Sequence, residues 1–364
     1  MKLSCFALAA VLGGSQLGAA PNPAWISDLD RAAQFQLAHP ARDRPESSDP
    51  KSWVMGVFYA GLSAYDRAGF DHHRYRPALL AMGQANHWQL GPRLYHADDM
   101  CIGQTYEDLY DIYHDPAMIA AVRRRCDDIL AHPPEGPMEF VTDGSATQWN
   151  WCDSLFMAPA AWVHLAAITG YGDYRDFAIE HWWQTSDFLY DPVAHAFYRD
   201  SRFLPSTHAG PHIFWARGNG WVVAGLARVL SFLPADDPSR PHLEEQFRDM
   251  TTELLNFQGP DGGWTPNLTN GRDRDLGESS EESGTALFCF GMAWGINHGV
   301  LAAGDFRGPA RHAFAFVRGC EDAQGRLSHV QPIGFAPVGY PADSTAPFGV
   351  GAYLLAGSEM LRLR

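Results

Sequence analysis

Lysine is almost missing from this chain of 364 residues: it stands only at Lys2 and Lys51, and arginine supplies the rest of the basic charge. With 27 basic residues against 42 acidic ones, the formal net charge is −15. Nucleic acid is not expected as a partner, because phosphate binding needs a basic stripe and none occurs. An acidic protein that holds an anionic ligand must do so with a few placed Arg, hydroxyl or backbone donors. Cysteine is scarce too. Five of the six, Cys101, Cys126, Cys152, Cys289 and Cys320, lie beyond the N-terminal segment in apolar or helical surroundings. They lack metal-ligand spacing, and an odd number excludes a complete disulfide framework while leaving room for one pair. No apolar run is long enough to span a bilayer. Also missing are a phosphate-cradling Gly-rich loop, a nucleophile elbow, a thiol–His signature and convincing alternating strands. No metal or other cofactor is expected: His72-His73 falls in a turn, and no second ligand stands at helical spacing from His96.

What the chain does contain is apolar mass. It is 46% hydrophobic and 13% aromatic, with 12 Trp, enough for a large core. The first residues read as an export signal: Lys2 precedes the apolar run 3–12, and Gly18-Ala19-Ala20 offers small residues for cleavage. Residues 1–20 are therefore expected to be removed, and 21–364 to form one domain of an exported protein.

Helix-period apolar patterns recur, starting near Ala24, Trp53, His73, Asp98, Pro116, Cys152, Asp173, Arg217, Pro241, Ser283, Phe306 and Pro347. Those near 53, 98, 152, 217, 283 and 347 are Gly-, Ala- and aromatic-rich and nearly uncharged, which predicts burial on every side. Those near 73, 116, 173, 241 and 306 carry charged faces. Turns such as Ala68-Gly69-Phe70-Asp71, Thr169-Gly170-Tyr171-Gly172 and Ala303-Gly304-Asp305 join each inner helix to the next outer one. The pairing recurs at about 45 to 65 residues, a repeat of architecture and not of letters. The expected fold is all-α: six inner helices ringed by six outer ones, an (α/α)6 toroid, with short hairpins in loops near 261–264 and 322–325.

That connectivity brings every inner N-terminus to one end of the ring. There the sequence places His96, Asp98 and Asp99; then Trp149, Trp151 and Asp153; then Trp215, Arg217, Asn219 and Trp221; then Ser283 and Thr285. Each acid or hydroxyl taken alone also reads as a helix cap, and each Trp as core. Together, two acids, an Arg with an Asn, hydroxyls and several Trp describe a carbohydrate site, since aromatic faces stack on sugar rings and polar groups fix hydroxyls and carboxylate. Asp153, set among Trp149, Trp151 and Phe156, is expected to resist ionisation, because burial disfavours the carboxylate.

At these residues the chain resembles the unsaturated uronyl hydrolases, above all the unsaturated rhamnogalacturonyl hydrolases of glycoside hydrolase family 105, related to family 88. The resemblance runs from about Trp53 onward. It is carried by His96-Ala97-Asp98-Asp99 with Gly103-Gln104-Thr105-Tyr106, by Trp151-Cys152-Asp153-Ser154-Leu155-Phe156-Met157 and by Trp215-Ala216-Arg217-Gly218-Asn219-Gly220-Trp221. Glu282-Ser283-Gly284-Thr285-Ala286 and Gly349-Val350-Gly351-Ala352-Tyr353-Leu354-Leu355 continue it. It implies an (α/α)6 barrel and a substrate ending in a 4,5-unsaturated uronic acid left by a polysaccharide lyase. It also implies hydration of that vinyl ether in place of attack at the anomeric carbon. By motif position the acid/base falls on Asp153 and the second acid on Asp98, with Asp99 as the alternative. Familiar members carry a His upstream of the main acid and another after the following outer helix. Here those places read Glu139-Phe140-Val141-Thr142-Asp143 and Ala196-Phe197-Tyr198-Arg199-Asp200, with His195 and His208 near the second. Arg199 or Arg202 is then expected to recognise the substrate carboxylate. Other readings of the same residues are an inverting glycosidase on saturated glycans, a non-catalytic sugar-binding toroid and a polysaccharide lyase.

Overall fold

Capping side chains and left-handed turns cut the chain into helices in the computed structural model, which describes residues 22–40, 49–142, 145, 147–269 and 279–363. Asn22 caps α1 (Pro23–Ala38) by accepting the Ala24 N–H at 3.0 Å. Ser52 does the same for α2 (Trp53–Ala68), which Gly69 ends in the left-handed region at φ 79°. α3 (Arg76–Ala85) begins three residues later than expected because His72 and His73 both take positive φ. α4 (Gly103–Tyr113) likewise follows a separate 3-10 turn at Ala97–Met100, and Asp115 caps α5 (Pro116–Ala131). The third inner helix is broken: α6 (Ser154–Met157) stops before Pro159, whose ring and missing N–H end it, and α7 (Pro159–Thr169) resumes. α8 (Gly172–Leu189), α9 (Ala216–Phe232), α10 (Arg240–Leu254), α11 (Glu282–Asn297), α12 (Ala303–Gly319) and α13 (Pro347–Met360) complete the set.

The inner helices touch in a closed order, α2–α4–α7–α9–α11–α13 and back to α2, while α3, α5, α8, α10, α12 and α1 each back one of them. This is an (α/α)6 toroid. Most of its inner members are enclosed on every side: every residue of α13 is buried, and so are residues 216–230 of α9, while α4 departs from the expected uncharged pattern by carrying Glu107, Asp108 and Asp111. Among the described residues the paired strands are β1 (Tyr190–Asp191) and β2 (Ala196–Phe197), antiparallel with Tyr190 opposite Phe197. Near 261–264 and 322–325 the expected hairpins reduce to single bridges, Trp264 with Glu281 and Glu321 with Leu327. The five cysteines beyond the N-terminal segment are free and buried, so the expected room for a disulfide is not used. No helix among the described residues is long and apolar enough to cross a membrane. The expected export signal, residues 1–20, lies outside the described residues.

Candidate active site

Asp153 stands at the start of the broken inner helix but does not cap it, for its side chain accepts no bond from the helix N–H groups. The segment that follows β2 lies beside the carboxylate instead. The Cys152 N–H donates to the Arg199 carbonyl at 2.9 Å and Trp151 bridges to Asp200, which lays residues 199–200 alongside 151–152. Arg199 thereby sits with Nε 3.4 Å from Asp153 Oδ2, while its Nη1 donates to Asp200 at 2.6 Å. Asp153 is 9% exposed and Arg199 7%, so water screens the pair little.

Asp98 lies on the 3-10 turn within electrostatic range of Asp153. Burial pushes its carboxyl up to about 7; Arg93 opposes this, and Asp153 and Asp99 add to it. The two adjacent acids have different surroundings. Asp99 accepts from the Arg93 N–H at 2.6 Å, from Nε at 3.2 Å and from Nη2 at 2.6 Å, which binds it into the 91–93 loop. Asp98 couples to Asp153. His96 packs at a tilt against Trp151, with centroids 4.9 Å apart, and holds Nδ1 3.8 Å from Asp98 Oδ2. Burial, with Arg93, lowers His96 to about 4, so its ring is neutral and this contact is no ion pair at physiological pH.

Two carboxyls at one end of an (α/α)6 ring, one against a guanidinium and one holding its proton near neutrality, can both give and take a proton. The chain matches the family described as Glycosyl Hydrolase Family 88 over residues 25–364. It belongs to that family. The protein is thus a glycoside hydrolase, as the resemblance to the unsaturated uronyl hydrolases implied. It is 34% identical over 346 residues to the unsaturated 3S-rhamnoglycuronyl hydrolase of Formosa agariphila, covering 92% of this chain and 89% of that one. A solved structure described as glycosyl hydrolase family 88 from Bacteroides vulgatus superposes with a TM-score of 0.82 at 26% identity, covering 94% and 99% of the two chains. Another, described as a polysaccharide lyase, reaches 0.80 at 26% identity, covering 93% and 97%.

In this family 88 chain most of the other expected binding residues face the protein. Arg217 is fully buried and donates through Nη1 to the Gln331 carbonyl at 2.5 Å and through Nη2 to the Pro332 carbonyl at 2.9 Å, anchoring the loop before α13. Trp215 donates its indole N–H to Gln331 Oε1 at 2.7 Å. Asn219 clasps β2, accepting from the Phe197 N–H at 2.7 Å and donating to its carbonyl at 3.1 Å. Ser283 is bonded to Glu281, and Thr285 spans Glu281 and the Trp264 N–H. Trp149 packs on Phe177 and His181, and Trp221 on Trp53, Phe156 and Phe348. Trp151, His96 and Arg199 remain on the wall beside the acids. That wall continues through residues that sequence reasoning did not assign: Phe140 lies 6.3 Å from Trp151 and Phe335 6.3 Å from Phe140. Asp200 stands next to Arg199 in sequence, a signal that was available; Phe335, in an irregular Pro- and Gly-rich loop, gave none. In the C-terminal half of α4 and on α7, Asp108, Asp111 and His164 bring ligand atoms within 4.8 Å of one another, but Arg67 donates to both Asp108 and Asp111 and already supplies the cation.

Proposed function

We propose that the protein removes a terminal 4,5-unsaturated uronic acid from lyase-generated oligosaccharides by hydrating the C4=C5 bond, with Asp153 as acid/base and Asp98 as its partner. The observation that carries the reading is the acid pair itself: Asp153 with Arg199 Nε at 3.4 Å, and Asp98 pushed up to about 7 by burial. In the free enzyme Asp98 holds the proton and Arg199 stands beside Asp153. The substrate carboxylate competes for Arg199, and the proton passes to Asp153. Asp153 delivers it to C4: the electrons of the C4=C5 bond form the C4–H bond and leave positive charge shared by C5 and the ring oxygen. Water oriented by Asp98 adds at C5 and returns a proton to the carboxylate. The resulting hemiketal opens at the bond from C5 to the ring oxygen, and cleavage at C1 frees the shortened sugar. The name of the Formosa relative supports a uronate joined to rhamnose as the substrate. We also propose export after cleavage near residue 20, to be checked by N-terminal sequencing of the protein recovered outside the cytoplasm.

The test is loss of double-bond absorbance when purified protein meets lyase-generated pectic, ulvan-type and glycosaminoglycan-type fragments. At least one should be consumed, and a saturated twin should not. The structural neighbour described as a polysaccharide lyase supports a second reading. A lyase acting on intact polymer would make the absorbance rise, so the sign of the change separates the two.

A further inference from the structure

We propose that the protein carries a second ligand site, for a small oxyanion, at the end of the toroid opposite the acid pair. A cavity of about 340 Å³ lies there between the C-terminal halves of inner helices α2, α4, α9, α11 and α13. That size falls within the ~300–1,000 Å³ of small-molecule sites. Its charged lining sets three arginines, Arg67, Arg228 and Arg362, against two carboxylates, Asp108 and Glu359. Both carboxylates are already bonded. Asp108 accepts from Arg67 and, at 2.9 Å, from the Ser63 hydroxyl. Glu359 accepts from Arg362 Nη1 at 3.1 Å and from the Asn297 amide at 2.8 Å. Arg228 is left over. It is 7% exposed, and its Nε and Nη2 are enclosed without an acceptor among the described residues. Asp108 Oδ2 stands 3.8 Å from Nη2, beyond hydrogen-bond reach.

A buried guanidinium without an acceptor is costly, because both its charge and its N–H groups have lost water. Two ordinary roles do not account for it. Basic side chains near a helix C-terminus often hold the last carbonyls. For α9 that task falls to Arg240, which donates through Nη1 to the Leu230 and Leu233 carbonyls at 3.0 and 2.9 Å. The other role is an internal ion pair, with Glu107 of α4 as the partner in electrostatic range. Burial, however, holds the Glu107 carboxyl well above the usual carboxylate range, which weakens it as an anionic partner. The remaining walls are rigid and partly apolar. Phe232 stacks on His164 at 3.7 Å and Trp294 on His298 at 4.5 Å, and both aromatics line the cavity. The surrounding helix C-termini repel an anion, so the attraction must come from the surplus arginine. An oxyanion seated against Arg228, with Arg362 at the more exposed rim, supplies the acceptor that the guanidinium lacks.

The test is binding and not turnover, so its outcome is independent of the hydration reading. Purified protein is titrated with sodium sulfate, sodium phosphate and glucuronate at fixed ionic strength, with glucose as the neutral control. Calorimetry gives the affinity, and thermal melting gives a second readout. Wild type should bind at least one of the anions saturably, and its melting temperature should climb to a plateau, as mass action requires. Comparison of the three tells a free inorganic ion from the carboxylate of a sugar acid. Arg228→Met should weaken the binding roughly 10- to 100-fold, the worth of a charge-assisted hydrogen bond. Arg362→Met, at the rim, should weaken it too, and decides the matter if Arg228→Met does not fold. Arg199→Met, at the catalytic end, should leave the Arg228-dependent binding as it is. Absence of saturable binding by any of the three anions overturns the site. So does an equal rise in melting temperature for wild type and Arg228→Met, since sulfate and phosphate raise it by exclusion from any protein surface. Binding lost in Arg199→Met but kept in Arg228→Met would place the anion beside the acid pair, and also overturns it.

Discussion

At Asp98, burial deprives the carboxylate of hydration, and its proton leaves near pH 7 where an ordinary aspartate loses it near 3.8. This has two consequences. For activity, the pair must carry one proton, so kcat/KM, which reports the free enzyme, should fall as pH rises through about 7. For stability, between about 3.8 and about 7 the folded chain keeps a proton that the unfolded chain has given up, so the contribution is full below the lower value and is lost as pH climbs through the upper. Asp98→Asn should therefore lose activity yet melt higher than wild type, by a larger margin at pH 8 than at pH 5; equal margins at both would remove the buried-acid account. Asp153→Asn should lower kcat by about 10²- to 10⁴-fold, the usual worth of a general acid/base, while the fold persists. The acids were legible in the sequence as residues but not as roles. Motif position could not separate Asp98 from Asp99, whose surroundings differ in three dimensions because Arg93 hydrogen-bonds Asp99. Nor could it show that Arg199 would face Asp153, since that contact depends on the bridge between Trp151 and Asp200.

Helix periodicity gave both rings of helices because apolar residues recur wherever a helix is enclosed, and the glycine turns at Gly69 and Gly170 carry the left-handed φ that those letters suggest. The loops were not legible, because their partners lie far away in sequence. Arg217 and Asn219 read as sugar donors, yet Arg217 reaches carbonyls more than a hundred residues on, at Gln331 and Pro332. Tryptophans 149, 215 and 221 read alike as platforms and are fully enclosed by other side chains. The 331–341 loop is therefore a separately testable element. Arg217→Met removes the donor to two carbonyls at its base and keeps a side chain able to fill the space over Trp215 and Phe348. Each bond from a charged donor is worth about 1.5–3 kcal/mol. Amide hydrogen exchange in 333–340 should accelerate in this variant, and KM should rise more than kcat falls, because Phe335 loses its fixed place. Unchanged exchange there would mean that Gln331 alone holds the loop.

At the scale of the whole molecule, the toroid must close where the first inner helix meets the last, and two glycines make that seam. A Cβ on Gly61 of α2 would lie 2.1 Å from the Gly351 carbonyl oxygen, and one on Gly351 of α13 would lie 2.4 Å from the Val57 carbonyl oxygen. Both obstacles are backbone, which cannot rotate aside as a side chain tip can. Overpacking a core costs about 1–3 kcal/mol where side chains give way, and helix on helix leaves less room than that. Gly61→Ala should thus push α2 off α13 and lower the melting temperature of the entire ring, by about 2 °C or more per kcal/mol for a domain this large. Activity should fall with it, since the mouth is built from the N-termini of all six inner helices and one displaced member spreads them. Gly304→Ala in the first turn of outer helix α12 is the matched control: no heavy atom lies within 4 Å of the added methyl. It should leave stability unchanged or raise it by about 0.4–1 kcal/mol, as alanine restricts the unfolded chain. If thermal unfolding gave the two variants the same melting temperature, the ring would owe nothing to close contact at its seam, and its closure would have to come from the outer helices instead.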